Sequence, residues 1–379
     1  MEFLGILAFV VALLFSVMVH EFGHYLTARK FGMRVSEFFL GFGKRIWSFT
    51  RGETEFGIKA IPAGGYCRIE GMTPQDQMAE GEEGRAFFAA SSAKKLIVLG
   101  AGSFAHFALG FLLIFSIFFA IGYQTVLPDI AKVSPQSAAE SAGFKPGDRI
   151  LTIDQDEVDN WVQDSKKIGE SKGREMTFTV KRGEQILTLK ANAQYIEEEK
   201  RYVLGVITKV GIKRDGIIQS TQNASSATWA LTRESVKSLF TLPTKVPELF
   251  QQTFMGEERD PNGLVGVVGA ARVSGEVVGS ENLAGNQRIQ TFILIVASLN
   301  IFVGLFNLLP LLPLDGGHMA VAIADEFRAL LARIRKKPRP AGIDVNVLTP
   351  ITMAVFVVLA ILTVVLLVAD LINPISLGL

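Results

Sequence analysis

The sequence predicts a polytopic α-helical membrane protein with four transmembrane helices and one soluble α/β insert. Three observations lead there. Hydrophobic residues make up 49% of the 379 positions and charged residues only 20%, with a mean hydropathy of +0.33, a balance that suits a membrane protein carrying a soluble part. Four stretches, about 3–19, 96–123, 292–309 and 348–371, are apolar over the roughly 20 residues that a bilayer-spanning helix needs. Between the second and third lies a long polar segment whose first part alternates short apolar runs with Gly and Pro turn signals.

The bulk properties also exclude. A net charge of +1 offers no footprint for nucleic acid. Cys67 is the only cysteine, so neither an intramolecular disulfide nor a C-x-x-C metal site can form. The first apolar run has no basic segment before it and no A-x-A-like cleavage site after it, and it reads as a retained helix rather than a removed signal peptide.

An even number of spans places both ends of the chain on one side. Arg29, Lys30, Arg34, Lys44, Arg45 and Arg51 follow the first span, and Arg333, Arg335, Lys336, Lys337 and Arg339 lie between the third and fourth. The positive-inside rule puts both segments in the cytoplasm and the 124–290 segment outside.

Within that outer segment, 137–142 reads as a short helix stopped by Gly143 as a C-cap. Lys145-Pro146-Gly147-Asp148 is a turn feeding a strand over 149–153, and an amphipathic stretch over 160–172 ends at Gly173. This order, with SPQSAAESAGFKPGDRILTIDQDEV at 134–158, resembles a PDZ domain of the bacterial protease-associated type. The resemblance implies a groove beside an exposed strand edge that takes an extended peptide; the alternative is a domain that excludes bulky substrates by size. The expected division is an N-terminal membrane core over 1–123, the PDZ-like domain over 124–200, a connecting segment over 201–290, and a C-terminal membrane core over 291–379. In the connecting segment, SSATWALTRESVKSLF (225–240) reads as one amphipathic helix.

The chemistry concentrates at the end of the first span, which runs into HEFGH at 20–24. H-E-x-x-H on a helix sets His20 and His24 one turn apart on one face, where both imidazoles reach one ion, with Glu21 beside them to take a proton from water. The bland reading is a polar helix end at the headgroup level. Ionisable groups at the end of an unbroken apolar helix are costly, however, and mark function. A catalytic zinc takes three protein ligands, so a third is expected near another span. Asp315, in NLLPLLPLDGGH after the third span, is the preferred candidate because a carboxylate restores charge balance; His318 in the same motif competes with it. Pro310 and Pro313 break the helix there, while Gly316 and Gly317 let the backbone turn. Broken backbone at membrane depth needs protein or a wet cavity around it.

These motifs resemble the site-2 proteases, intramembrane zinc metalloproteases of the bacterial PDZ-containing type, over almost the whole chain. HEFGH corresponds to the family's first motif and NLLPLLPLDGG at 307–317 to its second. GFGKRI at 41–46 and TEFGIKAIPAGGYCRIEGM at 54–72 resemble its membrane-associated β-hairpin or small sheet, and NGLVGVVGAARV at 262–273 its stretch before the third helix. The resemblance implies that His20, His24 and Asp315 bind one Zn²⁺, that Glu21 is the general base, and that Asn307 contacts the substrate backbone or the oxyanion. Where the family often has an asparagine in the second span, GAGSFAHF at 100–107 offers His106, expected to hydrogen-bond near the site, as His318 also could.

A substrate helix has its carbonyls engaged, so it must unwind before it is cut. The 54–72 segment, with Phe56 and Ile58 alternating before the turn at Gly64 and Gly65, is expected to supply an edge for the unwound strand; the alternative is a hairpin that only fills space. The resemblance further implies a multi-pass protein of a bacterial inner or cell membrane, with the PDZ-like domain extracytoplasmic and the active site toward the cytoplasm. Its substrates would be single-span membrane proteins already shortened outside by another protease, such as anti-sigma factors or signal-peptide remnants, in regulated intramembrane proteolysis. The rival class is a non-catalytic receptor or scaffold with a peptide-binding PDZ-like domain. The intact set His20, Glu21, His24 and Asp315 favours the enzyme. A metal-dependent transporter fits poorly, since the chain has no internal repeat.

Overall fold

The computed structural model describes residues 1–379 apart from 73–75, 77, 199, 261–262, 339, 344, 376–377 and 379. Asn262 of the 262–273 stretch and Arg339 of the basic loop lie outside the described residues. The chain divides into two compact units, one made of Met1–Ile117 with Gly216–Leu379, the other of Phe118–Asp215.

The first unit opens with α1 (Glu2–Lys30), in which the apolar run and HEFGH form one continuous helix. Its buried residues Phe9, Ser16, His20, His24 and Ala28 recur at helical spacing and form one inward stripe. Small residues let its neighbours come close: a Cβ on Gly23 would lie 2.5 Å from the Ala101 carbonyl oxygen.

Two long antiparallel strands follow, β1 (Val35–Arg51) and β2 (Thr54–Ile69). Both bend, so that they pair in four segments. Phe56 opposes Phe49 on one side and Phe38 on the other, and Ile58 opposes Trp47 and Leu40 in the same way. Residues 65–69 pair only with 35–40. The bend in β1 rests on Gly41, whose φ is +88° and where a Cβ would sit 2.7 Å from the Ile61 carbonyl oxygen. This arrangement corrects one expectation. Phe56 and Ile58 lie in an inner segment with both edges occupied, and the outer segments are 45–51 and 65–69, the second within the 54–72 stretch expected to supply an edge. Helix α2 (Ser92–Ser116) then runs on through 117–121 as a π-helical turn.

The second unit is an antiparallel sheet with short helices. Its elements are β3 (Tyr123–Val133), α3 (Ala138–Ser141), β4 (Arg149–Ile153), β5 (Asp156–Glu157), α4 (Trp161–Asp164), α5 (Lys166–Glu170), β6 (Glu175–Arg182), β7 (Gln185–Asn192), β8 (Gln194–Ile196), β9 (Arg201–Val203) and β10 (Val206–Lys213). The sheet order is β10-β3-β4-β6-β7, with β5 beside β4 and a separate β8-β9 pair. Ile130, Ile150, Ile153, Phe178 and Val180 form its core with Trp161. Ser137 caps α3 by accepting from the Glu140 N–H, and Gly143 follows at φ +83°, as the turn signals predict. The unit does not close at 200. β10 pairs with β3 from Val206↔Val133 to Lys213↔Tyr123 and becomes an edge strand with Ile207, Val210 and Ile212 exposed.

The chain returns to the first unit through α6 (Ile217–Phe254), α7 (Val267–Gly279), α8 (Gly285–Asn307), α9 (Asp315–Ile334) and α10 (Thr349–Ile372). The amphipathic helix expected over 225–240 is the middle of α6. Among the described residues, four helices are long and apolar enough to cross a membrane: α1, α2 with its π-helical extension, α8 and α10.

Candidate active site

His20 and His24 meet Asp315 because the α1 stripe faces the N-terminus of α9. Residues 308–314 break from α8 and fold back tightly before α9 begins. A Cβ on Gly316 would lie 2.3 Å from Leu308 backbone atoms, and one on Gly317 2.5 Å from the Leu312 nitrogen. The paired glycines are therefore a steric requirement of this return. Asp315 is in the first turn of α9, where the helix dipole favours a negative charge.

Three ligand atoms converge. His20 Nε2 and His24 Nε2 are 3.1 Å apart, and Asp315 Oδ2 lies 3.3 Å from the first and 3.4 Å from the second. Tetrahedral zinc with bonds of about 2.0–2.1 Å has ligand-to-ligand edges of about 3.3 Å. Asp315 Oδ2 is buried with no hydrogen-bond partner among the described residues. An orphaned carboxylate oxygen facing two imidazole nitrogens fits a cation. His24 Nδ1 donates to the Val98 carbonyl oxygen at 2.8 Å, which leaves the Nε2 lone pair for a metal. Among the described residues these three form the cluster positioned for a metal ion; His318, one turn along α9, is not part of it.

Glu21 lies beside the cluster in a cavity of about 370 Å³, lined on its opposite wall by residues 66–69 and Met72. The Cys67 backbone N–H, on the free edge of β2, faces the Glu21 carboxylate. Burial pushes the Cys67 thiol up, with the neighbouring Glu21 charge acting the same way. The arrangement brings together a metal cluster, a carboxylate and an open strand edge.

The remaining expected residues divide. Gly65 opens the free edge segment and packs on α1, where its Cβ would meet Met18 Sδ at 2.8 Å. Gly64 precedes it at φ +138°. Asn307 ends α8 and is not among the residues lining the cavity. His106 lies beside His20, with ring centroids 4.9 Å apart, and bonds Asn300 Oδ1 through Nδ1 at 2.8 Å.

Sequence reasoning missed Gly102, Val98 and Asn300. A Cβ on Gly102 would lie 2.5 Å from both His20 Cε1 and His24 Nε2. The Gly102 position was signalled only by the small-residue run GAGS. Asn300, a fully buried amide in an apolar span, carried a clearer signal.

The model of peptidase family M50 matches residues 8–359. The chain is 32% identical to zinc metalloprotease Rip1 of Mycobacterium tuberculosis, over 98% of both chains. It is 30% identical to zinc metalloprotease Rip1 of Mycolicibacterium smegmatis, again over 98% of both. The matched region takes in both HEFGH and LDGG, and the chain belongs to peptidase family M50, the zinc-dependent site-2 protease family.

Proposed function

We propose that the protein hydrolyses peptide bonds of single-span membrane proteins within the bilayer, using His20, His24 and Asp315 to hold zinc and Glu21 as general base. The observation that carries this reading is the triangle of 3.1, 3.3 and 3.4 Å between the ligand atoms beside Glu21. A zinc ion bound there supplies a Lewis acid that polarises the scissile carbonyl and acidifies water.

The protein's own groups do the rest. Glu21 takes the proton from the attacking water and hands it to the leaving amine. Residues 65–69 offer unpaired backbone groups to an unwound substrate strand, which aligns its carbonyl with the cluster. His20, Glu21, His24 and Asp315 give the cavity a polar wall, so water reaches a bond that lipid would otherwise keep dry.

In this reading the clusters Arg29–Arg34 and Arg333–Lys337 lie in the cytoplasm of a bacterial cell, and the 118–215 unit lies outside as the PDZ-like domain. Substrates have lost their bulky outer domains to another protease, as in regulated intramembrane proteolysis. The test is cleavage of a single-span peptide by the detergent-purified chain. Glu21→Gln should lower the rate by about 10²–10⁴-fold while bound zinc stays at the wild-type level. Wild-type turnover by Glu21→Gln would sink the proposal.

A further inference from the structure

We propose that His106 is a positioning residue for the metal site: its Nε2 accepts the Nδ1 proton of His20 and so fixes the orientation of that ligand. The inference rests on the assignment of His20 as a zinc ligand.

The two ligand histidines are held differently. His24 has the Val98 carbonyl as acceptor for its Nδ1–H. His20 Nδ1 is buried and has no partner among the described residues. A histidine that binds a metal through Nε2 carries its proton on Nδ1, and that proton normally meets an acceptor.

The tautomer of His106 follows from its neighbours. Asn300 Nδ2 lies 2.8 Å from the Val296 carbonyl oxygen and 3.0 Å from Ser16 Oγ. A carbonyl only accepts, so the amide nitrogen of Asn300 must face Val296, and its oxygen must face His106. Ser16 Oγ donates its own proton to the Ala12 carbonyl oxygen at 2.8 Å and therefore accepts from Asn300. The Asn300 oxygen, 2.8 Å from His106 Nδ1, has no proton to give. His106 Nδ1 must carry one, and in the neutral ring Nε2 is then an acceptor.

The two rings are adjacent. His106 and His20 have ring centroids 4.9 Å apart and planes at 41°, and nothing else among the described residues bonds His106 Nε2. The proposed N–H···N bond joins these rings while His20 Nε2 faces His24 and Asp315. Ser16, Asn300 and His106 are 3%, 0% and 2% exposed, so the chain is built as a dry relay from α1 through α8 to α2, and water does not compete for its bonds.

The test is zinc affinity of the full chain in detergent, measured by chelator competition, together with the absorption spectrum of the cobalt-loaded protein. His106→Phe keeps a ring against His20 but has no acceptor. It should bind zinc about 10–100-fold more weakly and shift the cobalt bands. His106→Gln, which restores an acceptor, should recover most of the affinity. Asn300→Leu leaves His106 in place with its tautomer unlocked and should weaken zinc binding several-fold, a prediction that stands even where His106→Phe does not fold. Wild-type zinc affinity and an unchanged cobalt spectrum in His106→Phe or Asn300→Leu would overturn the proposal. His20→Ala separates the two readings: its loss of zinc beside a normal His106→Phe removes only the role of His106, whereas retained zinc in His20→Ala removes the ligand assignment itself.

Discussion

Asp315 Oδ2 stands 3.3 Å from His20 Nε2, joining the first turn of α9 to the polar end of α1. Each partner is poorly placed alone. His20 sits on an apolar helix, and Asp315 follows backbone broken at Pro310 and Pro313. With His24 they give the cluster one carboxylate and two imidazoles, a donor set that matches Zn²⁺.

Space at Gly102 should decide metal binding. Gly102→Ala drives a Cβ to 2.5 Å from both histidine rings, and neither ring can retreat without leaving the cluster. Zinc affinity is expected to fall at least about 10-fold, on the scale of changes that displace a ligand. Gly100→Ala is the control, because its Cβ would meet only Met319 Cε at 3.8 Å. It should keep its zinc and gain about 0.5–1 kcal/mol from helix propensity. Chelator competition and thermal unfolding read both.

The free edge of β2 can be tested through backbone rather than side chain. Cys67→Pro deletes the N–H that faces Glu21, at a position whose outer side is unpaired, where proline is tolerated. Loss of that hydrogen bond to the general base, about 1.4 kcal/mol, corresponds to roughly tenfold slower cleavage. Cys67→Ser keeps the N–H and should cleave at the wild-type rate. Equal rates for the proline and serine variants would argue against a role for this N–H in cleavage.

Much of this architecture is legible in the sequence, and the exceptions share a cause. Spans, caps and turns are local: Ser137, Gly143 and the strand Arg149–Ile153 fall where their residue types require. The metal cluster is legible because H-E-x-x-H fixes two ligands by helix geometry, and paired glycines after a broken helix mark the third. What escapes is pairing between distant segments. Nothing near Val206 announces that β10 joins β3, and nothing near Phe56 announces that its segment is covered on both sides. Those outcomes depend on partners that local patterning does not name.

The 118–215 unit should lose stability in acid in part through Asp148. Asp148 has no exposed side-chain surface. Burial works to raise its pKa, but the Arg182 guanidinium, at 2.6 and 2.7 Å, and the Lys145 N–H, at 2.9 Å, outweigh it and hold the carboxyl below the ordinary carboxylate range. A depressed folded-state pKa adds stability above the unfolded value of about 3.9, and that stability disappears as pH falls through the lower folded value. Arg182→Gln should therefore cost about 1–3 kcal/mol at neutral pH and flatten the dependence below about pH 5. Urea unfolding followed by the buried Trp161, with Trp47 and Trp229 replaced by Phe, measures both effects.

The most direct test is the zinc content of the purified full chain and its Asp315→Ala and Glu21→Gln variants. The account predicts one zinc per chain in the wild type and in Glu21→Gln, and loss of zinc together with proteolysis in Asp315→Ala. A full complement of zinc in Asp315→Ala would contradict it.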